Sequence, residues 1–183
     1  MISDEDLQIV SQHLGRPARS MLEVSARCIC GNPVVVKTKP RLEDGTPFPT
    51  LYYLTHPAAT ASMSRLESAG LMAEWSNLLE DEIAEKYLKA HRGYLAEREK
   101  IEFVEELKET SAGGMPTRVK RLHALAAHSL AVGEGINPIG DLAVANSDWK
   151  IEKCQCDRPK EVPGLTCVLP RIILNSFTTT PLN

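Results

Sequence analysis

Cys28-Ile29-Cys30-Gly31-Asn32-Pro33-Val34-Val35-Val36-Lys37-Thr38-Lys39 is the stretch on which the fold turns. A valine run entered from Gly-Asn-Pro reads as a strand after a tight turn: β-branched side chains pack well on a pleated surface, and glycine, asparagine and proline supply turn geometry. The same texture extends to either side. Strand-like runs cover Met21–Ala26, Val34–Lys39 and Thr50–Thr55, separated by Gly31-Asn32-Pro33 and by the segment from Pro40 to Pro47. Short runs joined by short turns predict a small, mainly antiparallel sheet of about three strands.

Helical patterning flanks this block. Ser3 can cap a first helix whose opening turn holds Asp4, Glu5 and Asp6, and Gly15 with Pro17 stops it. After Pro57 one helix runs to about Ala69 with Gly70 as its terminator, a further segment covers Trp75–Glu80, and a long helix spans about Asp81–Leu107. Ser111-Ala112-Gly113-Gly114 breaks the pattern; Met115-Pro116 is expected to open a helix to about Val132, and Asn137-Pro138 a last one to about Asn146. Beyond Trp149 periodicity is lost. The expectation is an α+β fold, four to six helices packed with the sheet, with residues 1–148 as a single domain and 149–183 as a loosely attached, irregular tail.

Composition narrows the class. The chain has 183 residues, 43% hydrophobic and 25% charged, as in an ordinary globular protein. Its net charge of −3 supplies no general nucleic-acid footprint, and aromatics at 5% leave few base-stacking platforms. An acidic N-terminus and the lack of a run of roughly 20 apolar residues point away from a signal peptide or a membrane helix and towards a cytoplasmic protein.

Chemistry-bearing residues fall into three groups. Cys28 and Cys30 share one face if extended, and the glycine after them lets the chain turn around a metal. Zinc needs four ligands, so His56, His123 and Cys154 or Cys156 become candidates; the set Cys28, Cys30, His56 and His123 is the leading one, in a mainly structural site. The odd count of five cysteines, in a reducing compartment, disfavours structural disulfides. Gly113 and Gly114 before an expected helix start, with Thr117, Arg118 and Lys120 nearby, suit a small anion such as phosphate or carboxylate. His91 and Arg98 fall on the buried arc of the long helix, where a guanidinium cannot shed its charge and requires an anion or carboxylate. In an enzyme acting on phosphorylated or polyphosphate-like substrates, His91 would be the acid or base and Arg98 a clamp. On the helix expected from Met115, His123 lies beside the apolar stripe and His128 on the polar side with Arg121. No Walker loop, nucleophile elbow, His-Glu-x-x-His or dinucleotide fingerprint occurs.

Taken in order, Cys28-Ile29-Cys30-Gly31-Asn32-Pro33, Pro40-Arg41-Leu42, Gly45-Thr46-Pro47-Phe48-Pro49-Thr50-Leu51-Tyr52-Tyr53-Leu54-Thr55, Leu66-Glu67-Ser68-Ala69-Gly70, His91-Arg92-Gly93-Tyr94, Ser111-Ala112-Gly113-Gly114-Met115-Pro116, Leu122-His123 and Gly135-Ile136-Asn137-Pro138-Ile139-Gly140-Asp141 resemble the bacterial family called domain of unknown function 501. The likeness covers about residues 5–145. It implies a cytoplasmic bacterial protein and no particular activity. Members tend to be encoded near a septum-formation initiator and an exopolyphosphatase, which brings in a partner-binding module for cell division as another reading. Members often carry cysteine where this chain has His56 and Arg121; with both changed here, the resemblance implies a mixed Cys/His zinc site rather than an iron–sulfur cluster.

Overall fold

The computed structural model describes residues 2–157. Residues 158–183, most of the expected tail and including Cys167, lie outside the described residues. Helix α1 (Asp4–Leu14) precedes strands β1 (Met21–Arg27), β2 (Pro33–Thr38) and β3 (Tyr52–Leu54), and helices α2 (Pro57–Ser68), α3 (Leu71–Ser76), α4 (Asp81–Glu99), α5 (Leu122–Val132) and α6 (Pro138–Asn146) follow. The strands form an antiparallel sheet in the order β1-β2-β3. The architecture is α+β, as the alternation of textures predicts.

Strand β2 is the centre of the sheet, and Val34, Val35 and Val36 are all buried. Successive side chains on a strand point to opposite faces, so this run means that both faces are covered. Helices α1 and α5 both pack against β2, and α5 also lies on β1 and β3. The turn into β2 closes through Cys28 N–H to the Asn32 carbonyl (2.9 Å) and Gly31 N–H to the Cys28 carbonyl (2.7 Å), with Gly31 at φ 88°. That left-handed conformation is why glycine follows the second cysteine.

Helix α1 begins as its sequence dictates, with the Ser3 side chain accepting from Asp6 N–H, and ends at Gly15 in the left-handed region. Two other helices depart from expectation. The long helix stops at Glu99 instead of reaching Leu107, because the buried Arg98 guanidinium donates to the carbonyls of Thr110 and Leu107 and so draws the following segment, which holds one 3-10 turn (Glu105–Leu107), back over α4. The helix expected from Met115 begins only at Leu122. Gly113 and Gly114 have φ of 72° and 94°, Arg118 N–H bonds the Gly114 carbonyl and Lys120 N–H the Gly113 carbonyl, closing residues 113–121 into a loop.

Helix α5 is the central helix of the molecule. Leu122, Leu125, Ala126, Ala127, His128 and Ser129 are all buried, and the half-buried side holds mainly Ala124, Leu130 and Ala131, so there is no polar stripe for a wheel to find. His128 therefore lies in the core and not on a polar face. Its ring stacks on Tyr52 (centroids 5.6 Å apart) and meets Tyr94 edge-on (5.2 Å), while Asn137 Nδ2 donates to its Nδ1 (3.1 Å). Asn137 Oδ1 in turn accepts from Gly140 N–H and caps α6. Where α6 crosses α5, a Cβ on Gly140 would sit 2.3 Å from the Leu125 carbonyl oxygen.

Two predictions follow from this core. Gly140→Ala forces the helix pair apart and should destabilise by about 2–3 kcal/mol in denaturant unfolding; wild-type stability would refute the close approach. Burial holds the His128 pKa down at about 4 from an ordinary 6.5. The unfolded chain therefore binds a proton first as pH falls, and stability should drop between about pH 6.5 and 4, by roughly 2–3 kcal/mol at pH 4.5. The comparison is with His128→Gln, whose unfolding free energy should change less over the same interval.

Candidate metal centre

Four cysteines meet at one point. Cys28 and Cys30 come from the β1–β2 turn, with Ile29 between them pointing outward, and Cys154 and Cys156 come from the segment after α6, with exposed Gln155 between them. Cys28-Ile29-Cys30 lies in the turn that follows β1 and is not extended as expected; the turn, closed by Gly31 N–H on the Cys28 carbonyl, brings its two sulfurs together, and the 154–156 segment has no regular structure. All four sulfurs are buried and lie within 4.8 Å of one another; Cys30 Sγ and Cys156 Sγ are 3.4 Å apart. Cys28, Cys30 and Cys156 are free thiols, whereas Cys154 is disulfide-bonded and becomes a thiolate ligand only on reduction. Burial pushes the Cys28 and Cys156 thiols above their ordinary range. Sulfurs so placed are poor free anions and need a positive charge among them to ionise.

The returning segment is held by several contacts. Asp148 accepts from Ser62 Oγ and takes a bidentate pair from Arg65 (2.7 Å to each oxygen), tying it to α2. Trp149 is 1% exposed and packs beside His56, with ring centroids 5.6 Å apart. Ile29 N–H donates to the Ile151 carbonyl (3.2 Å), so the segment lies directly over the cysteine turn. The chain expected to begin a loose tail at residue 149 is thus packed against the domain through its last described residues.

His56 reaches the cluster. It is fully buried at the N-cap of α2, its Nδ1 accepts from Ala59 N–H, and its Nε2 lies 3.1 Å from Cys156 Sγ. Burial, with His13 as a smaller contributor, holds its pKa down at about 4, so the ring is neutral. His123 is turned elsewhere: Nδ1 lies 3.0 Å from Glu67 Oε1 and Nε2 3.2 Å from Ser64 Oγ. The same Glu67 oxygen accepts Leu122 N–H (2.7 Å) and caps α5 from outside the helix. The Ser64-His123-Glu67 chain resembles a hydrolytic triad in connectivity, but Ser64 lies inside α2 and its hydroxyl also donates to the Thr60 carbonyl, which is ordinary helix packing.

The remaining candidates are structural ties in their observed setting. His91 Nδ1 is 2.9 Å from Ser111 Oγ, and burial, then Arg98 and Arg92, lower its pKa. Arg98 is 2% exposed and meets carbonyl oxygens in place of the expected carboxylate; no ion pair to it occurs among the described residues. Thr117, Arg118 and Lys120 are exposed on the 113–121 loop, and that loop separates Gly113 and Gly114 from the start of α5 at Leu122. The glycine pair is required by packing, since a Cβ would fall 2.5 Å from Leu125 Cδ2 at Gly113 and 2.7 Å from the Arg118 carbonyl at Gly114. Sequence reasoning reached Cys28, Cys30 and His56, and named Cys154 and Cys156 only as alternatives to His123. The repeated Cys-x-Cys spacing was the signal favouring the second pair.

An α+β domain carrying a buried four-cysteine cluster at the meeting of a β-turn and a distant segment defines a candidate metalloprotein. The family model for Protein of unknown function (DUF501) matches residues 24–145, and the chain belongs to that family. The match contains Cys28, Cys30 and His56 and ends before Cys154 and Cys156. Neither a curated protein nor a solved structure matches significantly. No helix among the described residues is long and apolar enough to cross a membrane.

Glu67 gives the prediction here. Glu67→Ala leaves Leu122 N–H without its cap and should cost about 1 kcal/mol in unfolding free energy. Unchanged stability would mean that water replaces the carboxylate without penalty.

Proposed function

We propose that this protein binds one zinc ion through Cys28, Cys30, Cys154 and Cys156, and that the ion is structural. The observation carrying this reading is the convergence of four buried sulfurs within 4.8 Å. A tetrahedral ion with Zn–S bonds of about 2.3 Å sets its sulfurs roughly 3.8 Å apart, a spacing that small movements reach. An iron–sulfur cluster would place an inorganic core among the sulfurs and hold them farther apart, so a single ion fits better. Four protein ligands close the coordination sphere, which suits a structural role and leaves no position for substrate. The ion would join the β1–β2 turn to the 149–157 segment, contributing on the order of 10 kcal/mol to the folded state.

A reducing, cytoplasmic compartment would keep Cys154 available as a thiolate. An open cleft of about 1170 Å³ lined by residues including Gln12, His13, Arg65 and Cys156 gives ions and chelators a way to the cluster.

The test is elemental analysis of native protein purified under reducing conditions without chelator. One zinc per chain is expected, falling below one-tenth in Cys28→Ser and Cys156→Ser and unchanged in His123→Ala. Metal-free wild-type protein, or loss of zinc in His123→Ala with retention in Cys156→Ser, would overturn the assignment.

A further inference from the structure

Resting on the zinc reading above, we propose that His56 is a positioning residue of the metal centre: it donates an Nε2–H hydrogen bond to the Cys156 thiolate and is not itself a ligand. The hydrogen bonds decide between these roles. A neutral imidazole has one N–H and one lone-pair nitrogen. Nδ1 accepts the Ala59 amide hydrogen, so Nδ1 is the lone-pair nitrogen and the single hydrogen sits on Nε2. Nε2 is the atom 3.1 Å from Cys156 Sγ, and in this tautomer it can only donate. A metal on Nε2 would require either a ring stripped of both protons or an α2 cap turned away from Ala59.

Charge explains what such a donor does. Zinc with four thiolates carries two net negative charges, and leaving them buried without hydrogen bonds is costly. The β1–β2 turn and His56 lie beside the buried sulfurs, and the imidazole N–H withdraws electron density from Cys156. Because the same ring caps α2, donor orientation is fixed by the helix start. Occupancy of the cluster is thereby coupled to the position of α2.

Nuclear magnetic resonance of zinc-loaded, ¹⁵N-labelled full-length protein under reducing conditions reads the tautomer directly. His56 should show a protonated Nε2 and an unprotonated Nδ1. A proton-free Nε2, or coupling of the ring to ¹¹³Cd in the cadmium-loaded protein, would overturn the proposal. The variant His56→Asn keeps a good N-cap but its shorter amide does not extend to Cys156. Its zinc affinity, measured by competition with a chromophoric chelator, should fall roughly 10- to 100-fold. In cobalt-loaded protein its thiolate charge-transfer band should move to lower energy, because a sulfur without the hydrogen bond is the better electron donor; a cap acting only on α2 would not move that band. Wild-type affinity with an unmoved band would overturn the proposal. A wild-type chain that takes up no zinc at all would remove the underlying reading, an outcome distinct from a loaded wild type with an indifferent variant.

Discussion

The return of the chain to the Cys28–Asn32 turn after α6 is the constraint on which the molecule's organisation depends. Cys30 and Cys156 are 126 positions apart and their sulfurs are 3.4 Å apart. Closing a loop of that length has an entropic cost that rises only slowly with length, but it must be met by contacts at the closure itself. Buried Trp149, the Asp148 pairs to α2 and the Ile29–Ile151 hydrogen bond supply them. Surface ion pairs contribute little, so apolar burial of Trp149 carries most of the protein-only contribution, and an ion among the sulfurs would add the dominant one.

Around this closure the interior is organised by polar groups with partners as much as by apolar bulk. Helix α5, with most of its surface covered, brings His128 into an aromatic enclosure, and Asn137 donates to that ring while capping α6. Tyr94 accepts from Leu51 N–H and donates to the Pro49 carbonyl, fixing the approach to β3. Arg98 draws the carbonyls of Leu107 and Thr110, beyond the end of the helix, onto α4. Each arrangement uses a side chain to satisfy backbone or ring atoms that no regular element reaches, and each orders a connection that would otherwise lack cause to hold its shape.

Several residues that look chemical in the sequence are used in this way. A buried guanidinium suggests an anion, and backbone carbonyls meet the same need. A glycine pair before a presumed helix suggests a ligand cradle; here it permits the 113–121 loop to close against Leu125 and Arg118. His123 looked inward on a helix taken to start at Met115. With α5 beginning at Leu122, that histidine falls in the first turn, within reach of Glu67.

What the amino-acid order determined alone is local: the valine strand after Gly-Asn-Pro, the Ser3 and Asn137 caps, the stop at Gly15, and the closeness in the chain of Cys28 to Cys30 and of Cys154 to Cys156. These follow from backbone sterics and short sequence separation, which act over a few residues. Only the tertiary structure decided which pair of sulfurs meets which, that His56 and not His123 stands beside them, and that His128 on α5 lies in the core. Those outcomes depend on how α2, α5 and the segment after α6 pack, and packing is settled by many distant contacts at once.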